Sequence, residues 1–146
     1  MKSKRLGTDS DRKTFALIFD QGDEVMEKLK TFVNENHVTA ASFTAIGAFS
    51  AATLAWFDWQ TKDYKKIPID EQVEVLMLAG DVSLKPDGQP QVHAHVVIGK
   101  ADGSAHGGHL FEAKVRPTLE LILTESPSHL RRKHDPRSGL ALISVE

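Results

Sequence analysis

The sequence predicts an α+β fold, a mostly antiparallel sheet of seven to eight short strands with one main packed helix. Only residues 22–36 repeat their apolar side chains at helical spacing. The remainder breaks into short β-branched and aromatic runs bounded by Gly, Pro, Asp and Ser. Strands and helices do not alternate, so a parallel doubly wound sheet is not expected.

Residues 1–11 are polar and are expected to form a flexible N-terminus ahead of one domain over residues 12–146. Lys13 to Phe19 reads as a first, largely buried strand. Asp20 is the expected cap of the helix, whose stripe is Val25, Leu29, Phe32 and Val33. Ala41 to Phe49 reads as a strand interrupted at Gly47. Thr53 to Asp58 is the next, with a turn over Gln60 to Asp63 and a return strand from Tyr64 to Ile69. Glu74 to Leu84 is a long strand closed by Pro86-Asp87-Gly88. Gln91 to Lys100 follows, and Asp102-Gly103 is a hairpin signal. His109 to Val115 and Leu119 to Thr124 are two further strands separated by Pro117. Ser128 to Asp135 reads as one short helical turn, and Leu140 to Val145 closes the sheet. Trp56, Phe57 and Trp59 are too crowded for alternation to bury all three on one face, which leaves at least one for a second face, a loop or a subunit contact.

The 146-residue chain has 40% hydrophobic and 26% charged residues, ordinary for a globular domain. It contains no cysteine, which excludes disulfides, thiolate metal sites and a cysteine nucleophile. Any metal must be held by His, Asp or Glu. A net charge of −2 argues against a nucleic-acid grip built on phosphate neutralisation. The opening residues lack the apolar core of a secretory signal. No run approaches 18 apolar residues, so no membrane span is expected and a cytoplasmic location is the default.

The chemistry-bearing feature is a histidine cluster, Val92-His93-Ala94-His95-Val96 followed by Ala105-His106-Gly107-Gly108-His109-Leu110. His93 and His95 are two apart, so on a strand they share a face. His109 is the candidate third ligand from a neighbouring strand. Three imidazoles with one open position match a catalytic-type metal site, whereas sheet histidines satisfied by backbone or water are the alternative. If the Asp102-Gly103 turn is a tight two-residue one, His109 faces Val96 on the wrong side. A bulge at Gly107-Gly108 would return it to the histidine face; otherwise the connection is merely looser. Glu120 and Glu74 are candidate carboxylates near the metal, as a fourth ligand, as an orienter of a ligating histidine or as a general base, or else solvated or salt-bridged strand residues, and Asp81 stands behind them. Arg131-Arg132-Lys133 with Arg137 reads as an anion or nucleic-acid patch or as a solvated turn. His37, His129 and His134 read as surface or cap residues.

The ordered set His93-x-His95 and Gly107-Gly108-His109-Leu110 resembles the PPC (plant and prokaryote conserved) domain in its stand-alone prokaryotic form. Ala45-Ile46-Gly47-Ala48, Glu74-Val75-Leu76, Leu78-Ala79-Gly80 and Leu119-Glu120-Leu121 support the resemblance, which spans most of the chain. It implies a strongly bent antiparallel sheet, a homotrimer, and one divalent transition metal per subunit, zinc first, on His93, His95 and His109. His106 falls where the family varies and takes no ligand role. Plant members carry AT-hooks and act on DNA; this chain has no Arg-Gly-Arg-Pro core. Stand-alone members carry a provisional DNA-binding label that rests on analogy with them, so DNA contact is expected to be weak or indirect. The architecture is also similar to that of acetolactate decarboxylase, a tri-histidine zinc enzyme. Two functions are therefore carried forward. One is a metal-binding module with a binding or regulatory role, its metal either structural or sensing a small-molecule ligand. The other is a metal-dependent enzyme acting on a small oxygenated substrate.

Overall fold

Nine strands and one helix make up the protein in a computed structural model that describes residues 1–7, 12–126 and 129–145. They are β1 (Lys2–Leu6), β2 (Thr14–Phe19), α1 (Val25–Glu35), β3 (Ala41–Asp58), β4 (Asp63–Ile69), β5 (Val73–Leu84), β6 (Pro90–Gly99), β7 (Ala105–Glu125), β8 (Arg131–His134) and β9 (Ala141–Ser144). All pairings are antiparallel except the single β5–β8 contact. The class is as read from sequence, but the strand count is nine rather than seven to eight.

Three local readings change. Residues 2–6, polar enough to be read as loose, pair with β2 as β1, while 8–11 lie outside the described residues. Backbone pairing accounts for this, since every side chain of β1 is exposed. The helix begins at Val25, not at residue 22. Its cap is Glu24, whose carboxylate accepts from the backbone N–H of Met26 (3.3 Å) and Glu27 (2.6 Å). Asp20 instead pairs with the N-terminal ammonium at 3.2 Å. The expected helical turn near the C-terminus is strand β8 over its Arg131–His134 part, while Ser128 lies outside the described residues.

Two pairs of expected short strands prove continuous. Residues 41–58 form one strand through Gly47, and 105–125 one strand through Pro117. The two irregularities face each other. A Cβ at Gly47 would lie 2.3 Å from Thr118 O, so glycine permits this close approach. The β3–β7 register shifts at the same place, which absorbs the proline's missing N–H.

The ladder closes on itself, with β3 bonded to β5, β5 to β6, β6 to β7 and β7 back to β3. Inside lies a core that includes Phe49, Leu54, Leu78, Val96, Ile98, Leu110 and Leu121. The α1 stripe of Val25, Leu29, Phe32 and Val33 is buried with Met26. Burying each such side chain is worth about 1.5–3 kcal/mol. No helix among the described residues is long and apolar enough to cross a membrane.

Candidate metal centre

The site is written on the outer face of β6. Val92, Ala94, Val96 and Ile98 point into the core, so alternation turns His93 and His95 outward. On β7, His109 pairs directly with His95. Cross-strand partners share a face, so all three imidazoles meet. Their ring centroids are 5.0, 5.1 and 5.5 Å apart, and one nitrogen from each lies within 4.8 Å of the others.

The register that achieves this is set at the turn, not at the glycines. Lys100 N–H donates to Ser104 O and Gly103 N–H to Lys100 O, both at 2.9 Å. The loop is therefore three residues, Ala101-Asp102-Gly103, with Gly103 at φ +81°. The extra residue that sequence reasoning assigned to a bulge at Gly107-Gly108 sits in this loop. From Gly99↔Ala105 to His95↔His109 the register runs without a shift. The two glycines allow close packing instead. A Cβ on Gly108 would stand 2.8 Å from Ala55 O, and one on Gly107 3.1 Å from Val96 O.

The carboxylate that reaches the cluster is Asp81, opposite His93 on β5. Its Oδ2 lies 3.3 Å from His93 Nδ1, an arrangement that suits an Nδ1–H donor and leaves Nε2 for a ligand role. Asp81 is itself held. Arg132 donates from a guanidinium nitrogen to Asp81 Oδ1 at 2.8 Å, and Ser83 Oγ to the same oxygen at 2.9 Å. Burial pushes the Asp81 carboxyl up, but hydrogen bonds from His93, Ser83 and Arg132 outweigh it and hold the group below the ordinary carboxylate range.

Glu120 and Glu74, the carboxylates favoured from sequence, are not at this site. Both are exposed. Glu74 pairs with Gly99, four residues from His95 and thus about 13 Å along the strand at ~3.3 Å per residue. Glu120 lies beside Ile46 and Met77 in a separate depression.

Burial lowers the His109 pKa from 6.5 to about 4, helped by the neighbouring His93 and His95. His95 keeps an exposed edge, yet crowding and then His93 lower it too. Neutral imidazoles are the form that ligates. His109 Nδ1 is buried with no hydrogen-bond partner among the described residues. Such an orphan costs about 1–3 kcal/mol unless something satisfies it. The donor set of three imidazole nitrogens suits zinc and its neighbours. A tetrahedral ion needs ligand nitrogens about 3.3 Å apart, so modest rotations of the rings would draw them in.

A pocket of about 370 Å³ opens over the rings. Phe57 and Tyr64 wall one side, with Tyr64 5.0 Å from His109 between ring centroids; Leu140 and Leu142 wall another. Sequence reasoning missed Tyr64 and misplaced Arg132. The Arg131-Arg132-Lys133 run carries no apolar alternation to betray a strand, yet as β8 it turns Arg132 inward to 7% exposure. Trp56 and Trp59 remain 58% and 54% exposed, while Phe57 packs edge-on to Tyr64 at 5.2 Å.

Comparison with known proteins places this geometry. The Plants and Prokaryotes Conserved (PCC) domain matches residues 7–127. A metal-containing protein from Archaeoglobus fulgidus is 37% identical, with 90% of this chain and 93% of that one covered and a TM-score of 0.82. A plant- and prokaryote-conserved (PPC) protein from Pyrococcus horikoshii is 32% identical over 98% and 94% of the two chains, TM-score 0.83. A Bacteroides thetaiotaomicron protein with a provisional DNA-binding description is 25% identical over 97% and 96%, TM-score 0.86. Acetolactate decarboxylase from Bacillus subtilis strain 168 shares the fold alone, at 14% identity over 87% and 58% of the chains and a TM-score of 0.57. Among curated proteins, the bifunctional protein GlmU of Synechococcus sp. (strain JA-3-3Ab) is 34% identical over 128 residues, 86% of this chain. The chain spans about a fifth of the length of the curated relatives it matches.

Proposed function

The chain belongs to the Plants and Prokaryotes Conserved (PCC) domain family, and from that premise we propose that it is a metal-binding protein with a binding or regulatory role. One divalent transition ion per subunit, zinc first, is held by His93, His95 and His109. The observation that carries this reading is the convergence of three imidazoles, with one nitrogen from each within 4.8 Å of the others. The metal-containing relative from Archaeoglobus fulgidus supports it. When bound, the ion supplies a Lewis-acidic open position toward a small oxygenated ligand in the pocket.

Between ligand binding and catalysis, the surroundings favour binding. A general base must be free to take a proton. Among the described residues lining the pocket there is no carboxylate, and Asp81 behind His93 is committed to Arg132 and Ser83. The metal-dependent enzyme remains the second reading, supported by the open position that three protein ligands would leave and by the pocket over the rings. The assembly we propose is a homotrimer, with Ile46, Met77, Val97 and Ile122 as exposed apolar surface for subunit contact. DNA contact is weak or indirect in this reading.

The test is elemental analysis of protein purified without an affinity tag. About one transition-metal ion per chain is expected, and His95→Ala should lose most of it because two imidazoles hold zinc poorly. Full metal content in folded His95→Ala would refute the ligand assignment.

A further inference from the structure

The hairpin β8–β9 lies beyond residue 127, where the family match ends, yet it reaches the histidine pocket. Its backbone attachment to the main sheet is slight. Leu84 pairs with Arg131 in the one parallel contact, and Leu84 N–H donates to Leu130 O at 2.7 Å. What enters the sheet from the hairpin is a side chain. Arg132, buried, donates from Nε to Ser83 Oγ at 2.7 Å and from a terminal nitrogen to Asp81 Oδ1 at 2.8 Å. Its other terminal nitrogen donates to Ala141 O at 2.9 Å, which ties β9 to the same knot. All three guanidinium nitrogens are thus engaged, and the opposite oxygen of Asp81 faces His93 Nδ1.

We propose that Arg132 is a positioning residue for the metal centre, acting through Asp81 on His93, so that docking of the β8–β9 hairpin and metal binding are coupled. This rests on the metal reading above. The physical reason is that an imidazole ligand is oriented by what its other nitrogen donates to, and that carboxylate is fixed in turn by its own donors. A planar fork with five N–H groups can hold Asp81 and Ser83 together, which a lysine ammonium cannot match. Linkage then runs both ways: an ion that needs His93 in place favours the docked hairpin, and the docked hairpin favours the ion. The same hairpin brings Leu140 and Leu142 to the pocket wall, so a ligand would meet a surface that exists only when Arg132 is seated.

The test measures zinc affinity by chelator competition, the visible spectrum of the cobalt(II) form, and amide exchange over residues 131–144. Arg132→Met should bind zinc about 10–100-fold more weakly, the usual effect of losing an outer-shell partner. It should also shift the cobalt spectrum, whereas Arg132→Lys should recover only part of the loss. In the Asp81→Asn background Arg132→Met should add little. Arg131→Ala, exposed on the same strand, should leave affinity unchanged. Zinc should slow exchange in the hairpin of the wild type and not of Arg132→Met. In metal-free protein, nitrogen NMR should find His93 in the Nδ1–H form, and less so in Arg132→Met. That last readout needs no metal, so failure of the metal assignment and failure of this proposal are separable. Three results would overturn it: wild-type affinity and His93 tautomer in Arg132→Met, an undocked hairpin with unchanged affinity, or an equal loss with and without Asp81.

Discussion

Gly108 sits where β7, β6 and β3 crowd together beside His109. A methyl group there would stand 2.8 Å from the carbonyl oxygen of Ala55, the β3 partner of His109. Ordinary van der Waals contact begins near 3.4 Å, so Gly108→Ala must push β7 away from β3 by roughly half an ångström. The obstacle is backbone and cannot rotate aside. Overpacking of this kind costs about 1–3 kcal/mol. At about 3 °C per kcal/mol for a chain of this length, Tm should fall by roughly 3–9 °C. Functional geometry tolerates only about 0.5 Å of displacement, so zinc affinity should fall as well, by about tenfold. Gly107→Ala gives the internal comparison. Its methyl would lie 3.1 Å from Val96 O, a milder approach, and it should cost less on both measures. Thermal unfolding by circular dichroism, with and without zinc, reads stability, and chelator competition reads affinity. If Gly108→Ala melts within 1 °C of wild type and keeps its zinc, or if Gly107→Ala proves the worse of the two, the close-packing account of this corner is wrong.

The metal-free protein should lose stability as pH falls from about 6.5 to about 4. Burial holds His109 at about 4 when folded, so over that window the unfolded chain takes up a proton that the folded chain refuses. Asp81, depressed when folded, gives up its contribution only below the ordinary carboxylate range. His95, also lowered when folded, adds in the same direction; urea denaturation at pH 7 and pH 5 checks this, and His109→Gln should reduce the difference, whereas an unchanged slope would remove His109 as a source. For the assembly, light scattering should give a mass near three times 16.1 kDa, and Ile46→Glu with Met77→Glu should lower it, whereas a concentration-independent monomer contradicts the trimer. For DNA, the burial of Arg132 leaves Arg131, Lys133 and Arg137 as the surface cations of the C-terminal basic run. Labelled duplex with excess competitor at roughly 150 mM salt should show no sequence-preferring complex, and a sub-micromolar one would restore a DNA-binding role.

Periodicity and residue chemistry carried much of this protein. The stripe Val25, Leu29, Phe32 and Val33 defines α1 because helical spacing is a local property. The pair His93 and His95 declares its shared face because strand alternation is local too. The absence of cysteine confined any metal to nitrogen and oxygen ligands, and the ordered histidine and glycine motifs pointed to the family. The tertiary structure decided what depends on sums along the chain. Whether His109 meets His95 or Val96 turns on one residue in the loop Ala101-Asp102-Gly103, and a period of two cannot reveal which parity the loop adopts. Asp81 rather than Glu74 or Glu120 serves the histidines because β5 places Asp81 directly across from His93. Arg132 points inward because a hairpin remote in sequence lies along β5 and places it beside Ser83 and Asp81. Side-chain neighbours across a sheet are fixed by register and packing, which only the assembled backbone specifies.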